Sequence, residues 1–257
     1  IKLIESYIKT SDRKAIQEQI KSRIDNAVSE AHVAPYPTSS NIEFDSAEKI
    51  SPSISTPFHS QETKKGMKVA QRLNLAMHRM MDENKDVLLI GEDILDPYGG
   101  AFKVTKGLST KYPDKIIQTP ISEAGFTGVA VGLAYKGFNP IVEIMFGDFL
   151  THVVDILINS ASKFTWFSNN EITGKILIRT PVGGRRGYGP IHSQSLEKLF
   201  FGWPGITIIA PNIITNPKSV LAAAYELVSP VKIFLENKQD YPAYIMNESE
   251  LEKKGFD

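Results

Sequence analysis

The sequence contains no cysteine, which excludes a disulfide framework, thiolate nucleophiles, cysteine-ligated zinc and iron–sulfur clusters together. It also lacks an excess of charge of either sign. Its 29 Lys and Arg balance 29 Asp and Glu, so no basic surplus is available to release counterions from a phosphate backbone, and nucleic acid is not an expected partner. No apolar run approaches the roughly 20 residues that a bilayer helix needs; the run at 141–145 is broken by Glu143. No signal-type segment opens the chain, so no membrane partner is expected. The missing cysteines fit a reducing, cytoplasmic setting. The chain opens on isoleucine and its first methionine is Met67, so it is expected to be a piece of a longer protein.

At 257 residues there is room for one large domain and a smaller segment, given roughly 150 residues per domain. Residues 1–34 read as helix, with Ile16, Ile20, Ile24 and Val28 recurring at i, i+4, Ala27 and Ala31 widening the stripe, and Ser11 as N-cap. Pro35 and Pro37 end that pattern, and the Ser-, Thr- and Pro-rich stretch 35–66 reads as a linker. From Met67 the texture becomes that of an α/β fold. Helical patterns at 67–83, 125–135, 149–167 and 217–227 alternate with short apolar strands at 87–90, 116–118, 140–146, 175–179, 206–210 and 231–235. Near-continuous Ile, Val and Leu in those strands imply a mostly parallel sheet with helices on both faces.

In such a sheet, ligands sit beyond the carboxyl ends of the strands. The loop after 116–118 carries Glu123 among small and apolar neighbours at a helix start, where it suits either a capping acid or a functional carboxylate. Small residues follow at Gly125, Gly128, Ala130, Gly132 and Ala134, which suits close packing of that helix on another backbone. The 140–146 strand leads to Phe149, which is either core or a platform for a flat heterocycle, with Met145 as a polarizable neighbour. A long loop with four glycines and two prolines, 181–194, ends in His192, placed to act as acid, base or donor near neutral pH. Arg185 and Arg186 in that loop suit an anion or plain solvation. His32, His59, His78 and His152 lie in the linker region or on helices, where a surface reading suffices. No nucleotide-binding glycine motif occurs. No pair of ligating side chains has metal spacing, so no metal site is expected, and Asp93 with Asp96 reads as a loop.

The stretches GEDILDPYGGAFKVTKGL, TPISEAGFTGVAVGLAYKGF, PIVEIMFGDF, INSASKF, GPIHSQSLEKLF and PGITIIAPN resemble, in order and spacing, the beta chain of the thiamine diphosphate-dependent 2-oxo acid dehydrogenases. The resemblance covers that family's pyrimidine-binding domain. It implies a transketolase-like domain at 67–245, with 246–257 beginning the connection to a further domain. Residues 1–38, with their Pro35-Tyr36-Pro37 segment, look like the tail of the family's alpha chain, which suggests a fused alpha–beta enzyme. By the same resemblance, Glu123 binds a ring nitrogen of the cofactor's aminopyrimidine, Phe149 stacks on that ring with Ile121 and Met145 alongside, and His192 assists acyl transfer to a lipoyl group. The Gly-Asp-Gly motif that holds magnesium and diphosphate in the alpha chain is absent, and Gly147-Asp148-Phe149 is not it. The chain is therefore expected to carry half a cofactor site, inactive alone. Its implied partners are an alpha-type domain, a second beta copy and a lipoyl acyltransferase. Two other readings are a transketolase or deoxyxylulose phosphate synthase, and a non-catalytic α/β interaction module.

Overall fold

The computed structural model describes residues 10–36, 67–213 and 215–244, and the chain divides into two units, Ile1–Ser53 and Ile54–Asp257. In the first, helix α1 spans Thr10–Val33. Ser11 therefore lies inside the helix and not at its N-cap. The apolar stripe is open to solvent, with Ile16, Ile20, Ile24 and Val28 exposed. The linker expected over 35–66 falls, from 37 onward, outside the described residues, as does the 246–257 connection.

The second unit runs α2 (Val69–Glu83), β1 (Val87–Gly91), the single turn α3 (Leu108–Lys111), β2 (Ile116–Gln118), α4 (Glu123–Tyr135) and β3 (Asn139–Glu143). After an irregular helical stretch come β4 (Ile176–Val182), β5 (Ile206–Ile209), α6 (Pro217–Glu226) and β6 (Val231–Asn237). The six strands form one parallel sheet in the order β2-β1-β3-β4-β6-β5. Alternation along the strands builds two cores. Val87, Leu89, Ile141, Leu177 and Phe234 pack with Leu73 and Met77 of α2 and Leu221 of α6 on one face. Ile90, Val142, Ile178 and Ile233 pack with Phe126 and Ala130 of α4, and with Leu150 and Leu157, on the other. The sheet is thus covered on both sides, as an all-parallel sheet requires.

Three expectations change. The helix expected over 149–167 is a 3-10 helix at Gly147–Val153, a π-helix at Ile156–Ala161 and a single α turn, α5, at Phe164–Phe167. The strand expected over 140–146 ends at Glu143; Ile144 stays in the core with its N–H donating to the Arg179 carbonyl at 2.9 Å, and Met145 and Phe146 beyond it are half-buried. The small-residue stripe of α4 divides: Ala130 and Ala134 are buried, with the Gly174 backbone close against Ala134, whereas Gly128 and Gly132 have little around them. A Cβ at Gly132 would meet nothing, and one at Gly128 only the tip of Ile156 at 3.9 Å. Ala130 and Ala134 join Phe126 in the buried face of α4.

One buried charge lies away from the rim. Lys232 is 2% exposed, and its ammonium donates to the carbonyls of Tyr225 and Leu227 at 3.2 and 3.4 Å. Burial, with Lys175 nearby, pushes its pKa down to about 8 from the ordinary 10.5. Between those values the unfolded chain binds more protons than the folded one, so this group makes stability rise with pH across that window. Urea midpoints at about pH 7.5 and 9.5 should therefore show the wild type gaining on Lys232→Met, by at most roughly 1.4 kcal/mol per pH unit. A wild-type-minus-variant difference that stays flat with pH contradicts this account.

Candidate functional site

The strand order places a switch point between β1 and β3, where the chain turns from building one side of the sheet to building the other. The crevice beyond their carboxyl ends is the favoured place for a ligand. Glu92 follows β1, and it is 6% exposed. Its Oε1 accepts from the main-chain N–H of Ser122 at 3.3 Å. Burial pushes the Glu92 carboxyl up, and the charge of Glu123 pushes it further. Two acids therefore share this corner, and the charge of Glu123 disfavours a second negative charge on Glu92.

Glu123 is the first residue of α4 and 5% exposed. Its carboxylate does not cap the helix as a capping-box acid would. Its Oε2 lies 3.2 Å from Nδ1 of His152, while no hydrogen bond among the described residues engages Oε1. A buried carboxylate with one oxygen held and the other open suits a ring nitrogen that needs a partner.

His152 reaches Glu123 because the segment after β3 winds as a 3-10 helix. At three residues per turn, side chains three apart eclipse one another, so Phe149 and His152 lie on one face. Their rings are 5.9 Å apart and 15° from parallel. Gly147 permits the turn to sit on the sheet, since a Cβ there would lie 2.5 Å from Val182 Cγ1 and 3.3 Å from the Pro181 carbonyl oxygen.

The loop after β4 completes the rim. His192 ends a short 3-10 turn, Pro190–His192, and its ring stands edge-on to Phe149 at 5.3 Å and to Phe146 at 4.7 Å. Tyr188 and Phe102 extend this aromatic wall, with Phe102 stacked on Tyr241 at 4.7 Å. Beneath it lies a buried ionic cluster. Arg179 donates from Nε and NH2 to both oxygens of Glu236 at 2.7 Å each, and from NH1 to Glu143 at 2.8 Å. The Tyr241 hydroxyl donates to Glu236 at 2.6 Å.

Glu123, Phe149 and His192 are thus brought to one rim through a chain of contacts. Met145 is half-buried there, and Ile121 projects outward at 85% exposure. Arg185 and Arg186 are exposed, and Arg185 takes a left-handed backbone at φ 61°. Asp96 staples its own loop, accepting from the N–H groups of Gly107 and Thr110 at 2.7 and 3.0 Å. His152, Asp148, Lys238 and the Arg179 cluster are members of this region that sequence reasoning passed over. The available signal was parity, because Glu143, Arg179 and Glu236 each sit two residues beyond a core residue of the same face. Among the described residues, no group of three His, Asp or Glu side chains could hold a metal ion.

The residues present suit an aminopyrimidine: a buried acid with an open oxygen, linked through His152 to a half-buried ring on the 3-10 turn after β3. Comparisons point the same way. A family described as "Transketolase, pyrimidine binding domain" matches residues 65–243. The chain is similar to a mitochondrial pyruvate dehydrogenase E1 component subunit beta-2 of Oryza sativa subsp. japonica, 40% identical over 178 residues, covering 69% of this chain and 47% of the relative. It is also similar to a 2-oxoisovalerate dehydrogenase subunit beta of Bacillus subtilis, 36% identical over 176 residues, covering 68% and 53%. The chain therefore spans about half the length of the curated relatives it matches. Among solved structures, a split-gene transketolase described as an inactive beta4 tetramer shares the fold, with a TM-score of 0.53 at 20% identity, over 67% of this chain and 52% of the other.

Proposed function

The chain belongs to the transketolase pyrimidine-binding domain family, and from that premise we propose that it supplies the pyrimidine half-site of the decarboxylating component of a 2-oxo acid dehydrogenase complex. The observation that carries the reading is the buried Glu123 carboxylate, its Oε1 open, joined through His152 to the Phe149 ring and so to the rim that holds His192. Thiamine diphosphate, when bound, supplies the electron sink for loss of carbon dioxide. Everything else falls to side chains. Glu123 holds a ring nitrogen of the aminopyrimidine and exchanges a proton at Oε1. Phe149 fixes the plane of that ring. Glu92, its carboxyl pushed up by burial and by the charge of Glu123, adds less negative charge to the corner than a fully ionised neighbour would.

The two electrons released by decarboxylation go to the disulfide of a lipoyl ring. One sulfur takes the acyl group, the sulfur–sulfur bond breaks, and the second sulfur takes a proton. His192 is the donor in the rim for that proton. The partners in this reading are an alpha-type domain that holds the diphosphate and its magnesium, a second copy of this domain and a lipoyl acyltransferase. Resemblance to both pyruvate and 2-oxoisovalerate dehydrogenase subunits supports a short or branched 2-oxo acid as substrate.

The test is a panel assay on the complete protein. With thiamine diphosphate and magnesium, ferricyanide reduction is expected with pyruvate or a branched 2-oxo acid, and no ketol transfer between sugar phosphates. Ketol transfer without 2-oxo acid decarboxylation would replace this reading with a transketolase. Neither activity would leave an interaction module.

A further inference from the structure

We infer that Lys238 is a positioning residue for His192: its buried ammonium grips the 183–194 loop by the main-chain carbonyl of His192 and so sets where the imidazole stands on the rim. The inference rests on the reading of His192 given above. Lys238 follows the last residue of β6 and is 0% exposed. Its Nζ donates to the carbonyl oxygen of His192. The rings of Phe146 and Tyr188 flank the same nitrogen, with centroids at 5.0 and 5.9 Å.

Stability gives no reason for a lysine in this place. A buried ammonium is penalised by desolvation, and burial does pull the Lys238 pKa down, opposed by the charge of Asp148. Asp148 acts on it at a distance, and among the described residues the two form no ion pair. An ammonium has three donors. One goes to the loop carbonyl, and the two aromatic faces attract the remaining charge. The cation is therefore spent on the loop and on the two rings that wall the rim.

The loop needs such a hold. Gly183, Gly187 and Gly189 all have positive φ, at 88°, 77° and 78°, and Gly187 and Gly189 have open space around them. At the base, Gly183 N–H donates to the Gln194 carbonyl at 3.2 Å. Asp148 Oδ1 accepts from the main-chain N–H of Gln194 at 3.2 Å and from its Nε2 at 2.9 Å. Those bonds close the loop two residues past His192. The imidazole itself has no side-chain hydrogen bond among the described residues and meets only the edges of Phe146 and Phe149. Its position is therefore inherited from its own backbone, whose N–H stays within the loop, donating to the Gly189 carbonyl at 3.5 Å, and whose carbonyl Lys238 ties to the end of β6.

The test uses the complete, cofactor-loaded protein with Lys238→Met, Lys238→Arg and His192→Gln. Two rates are read, ferricyanide-coupled decarboxylation and acylation of a lipoyl domain, along with hydrogen exchange of amides 185–193. In Lys238→Met, acylation should fall at least about tenfold further than decarboxylation, because a misplacement of about 1 Å can lower a rate by about 100-fold. Exchange across the loop should rise by about tenfold, and Lys238→Arg should recover part of both. An unchanged ratio of the two rates, with unchanged exchange, overturns the inference. If Lys238→Met loosens the loop but His192→Gln leaves acylation intact, the assigned role of His192 fails while the tie stands. Should Lys238→Met not fold, Tyr188→Leu removes one of the two rings from a half-exposed position. It should shift the ratio of the two rates in the same direction, and a ratio equal to wild type counts against the tie.

Discussion

Replacing Glu123 by Gln in the complete protein is expected to lower 2-oxo acid decarboxylation by about 100-fold or more, the usual scale for removing a positioned acid–base group. Glutamine keeps the shape and can still bond to His152, which lies 3.2 Å from Oε2. What it loses is the ability to exchange a proton at the open oxygen. The substitution thus separates proton handling from packing. Folding should survive, because the variant removes one of two acids crowded into the same corner rather than leaving a charge unpaired. The Glu92 carboxyl, now held up partly by the charge of Glu123, should titrate lower in the variant. Circular dichroism checks the fold and the ferricyanide assay checks the rate. Turnover equal to wild type would remove Glu123 from the chemistry and favour the interaction-module reading.

The second large effect is on stability. Arg179→Met should destabilise the domain by about 3–5 kcal/mol, since it strands buried carboxylates that the guanidinium now holds. The side chain is 2% exposed, as against 9% and 1% for Glu143 and Glu236. Burial pushes the Glu143 carboxyl up, and Arg179 counters it. Glu143 can respond to the loss by protonating, which relieves part of the strain. Glu236 is gripped through both oxygens and also accepts from Tyr241, so it has less freedom to adjust. Arg179→Lys keeps the charge but not the planar fork, and it should fall between wild type and Arg179→Met. Urea midpoints on the three proteins measure this; a loss under about 1 kcal/mol for the methionine variant would mean the cluster adds little.

The strands were legible because Val, Ile and Leu runs between turn residues leave few alternatives, and each of the six was found within a few residues of its ends. Less legible was the segment after β3. Its residues carry a helical pattern, yet the first turns wind as 3-10 and then π, with Gly147 so close to Val182 that a Cβ there would lie 2.5 Å from Cγ1. His152, read as a surface histidine, is exposed, with 56% of its side chain accessible, and from the surface it still meets Phe149 and Glu123. Charged side chains were the other blind spot. Nothing in the sequence marks Arg179 or Lys238 as buried, yet one lies between acids and the other beneath a loop. The small residues of α4 were legible as a close-packing face, and Ala130 and Ala134 do pack in the core, while Gly128 and Gly132 meet little within this unit.

Parallel pairing throughout the sheet has a consequence for how the molecule forms. Neighbouring strands are joined only by long crossovers, so that Val87 pairs with Asn139 and Ile176 with Val231. Such non-local pairing folds slowly, on the scale of about milliseconds to seconds. Glu92, Glu123, Phe149, His192 and Lys238 each follow a different strand, β1, β2, β3, β4 and β6. A partly closed sheet therefore holds only pieces of the rim, and cofactor added during refolding has little to grip until the last strand is in register.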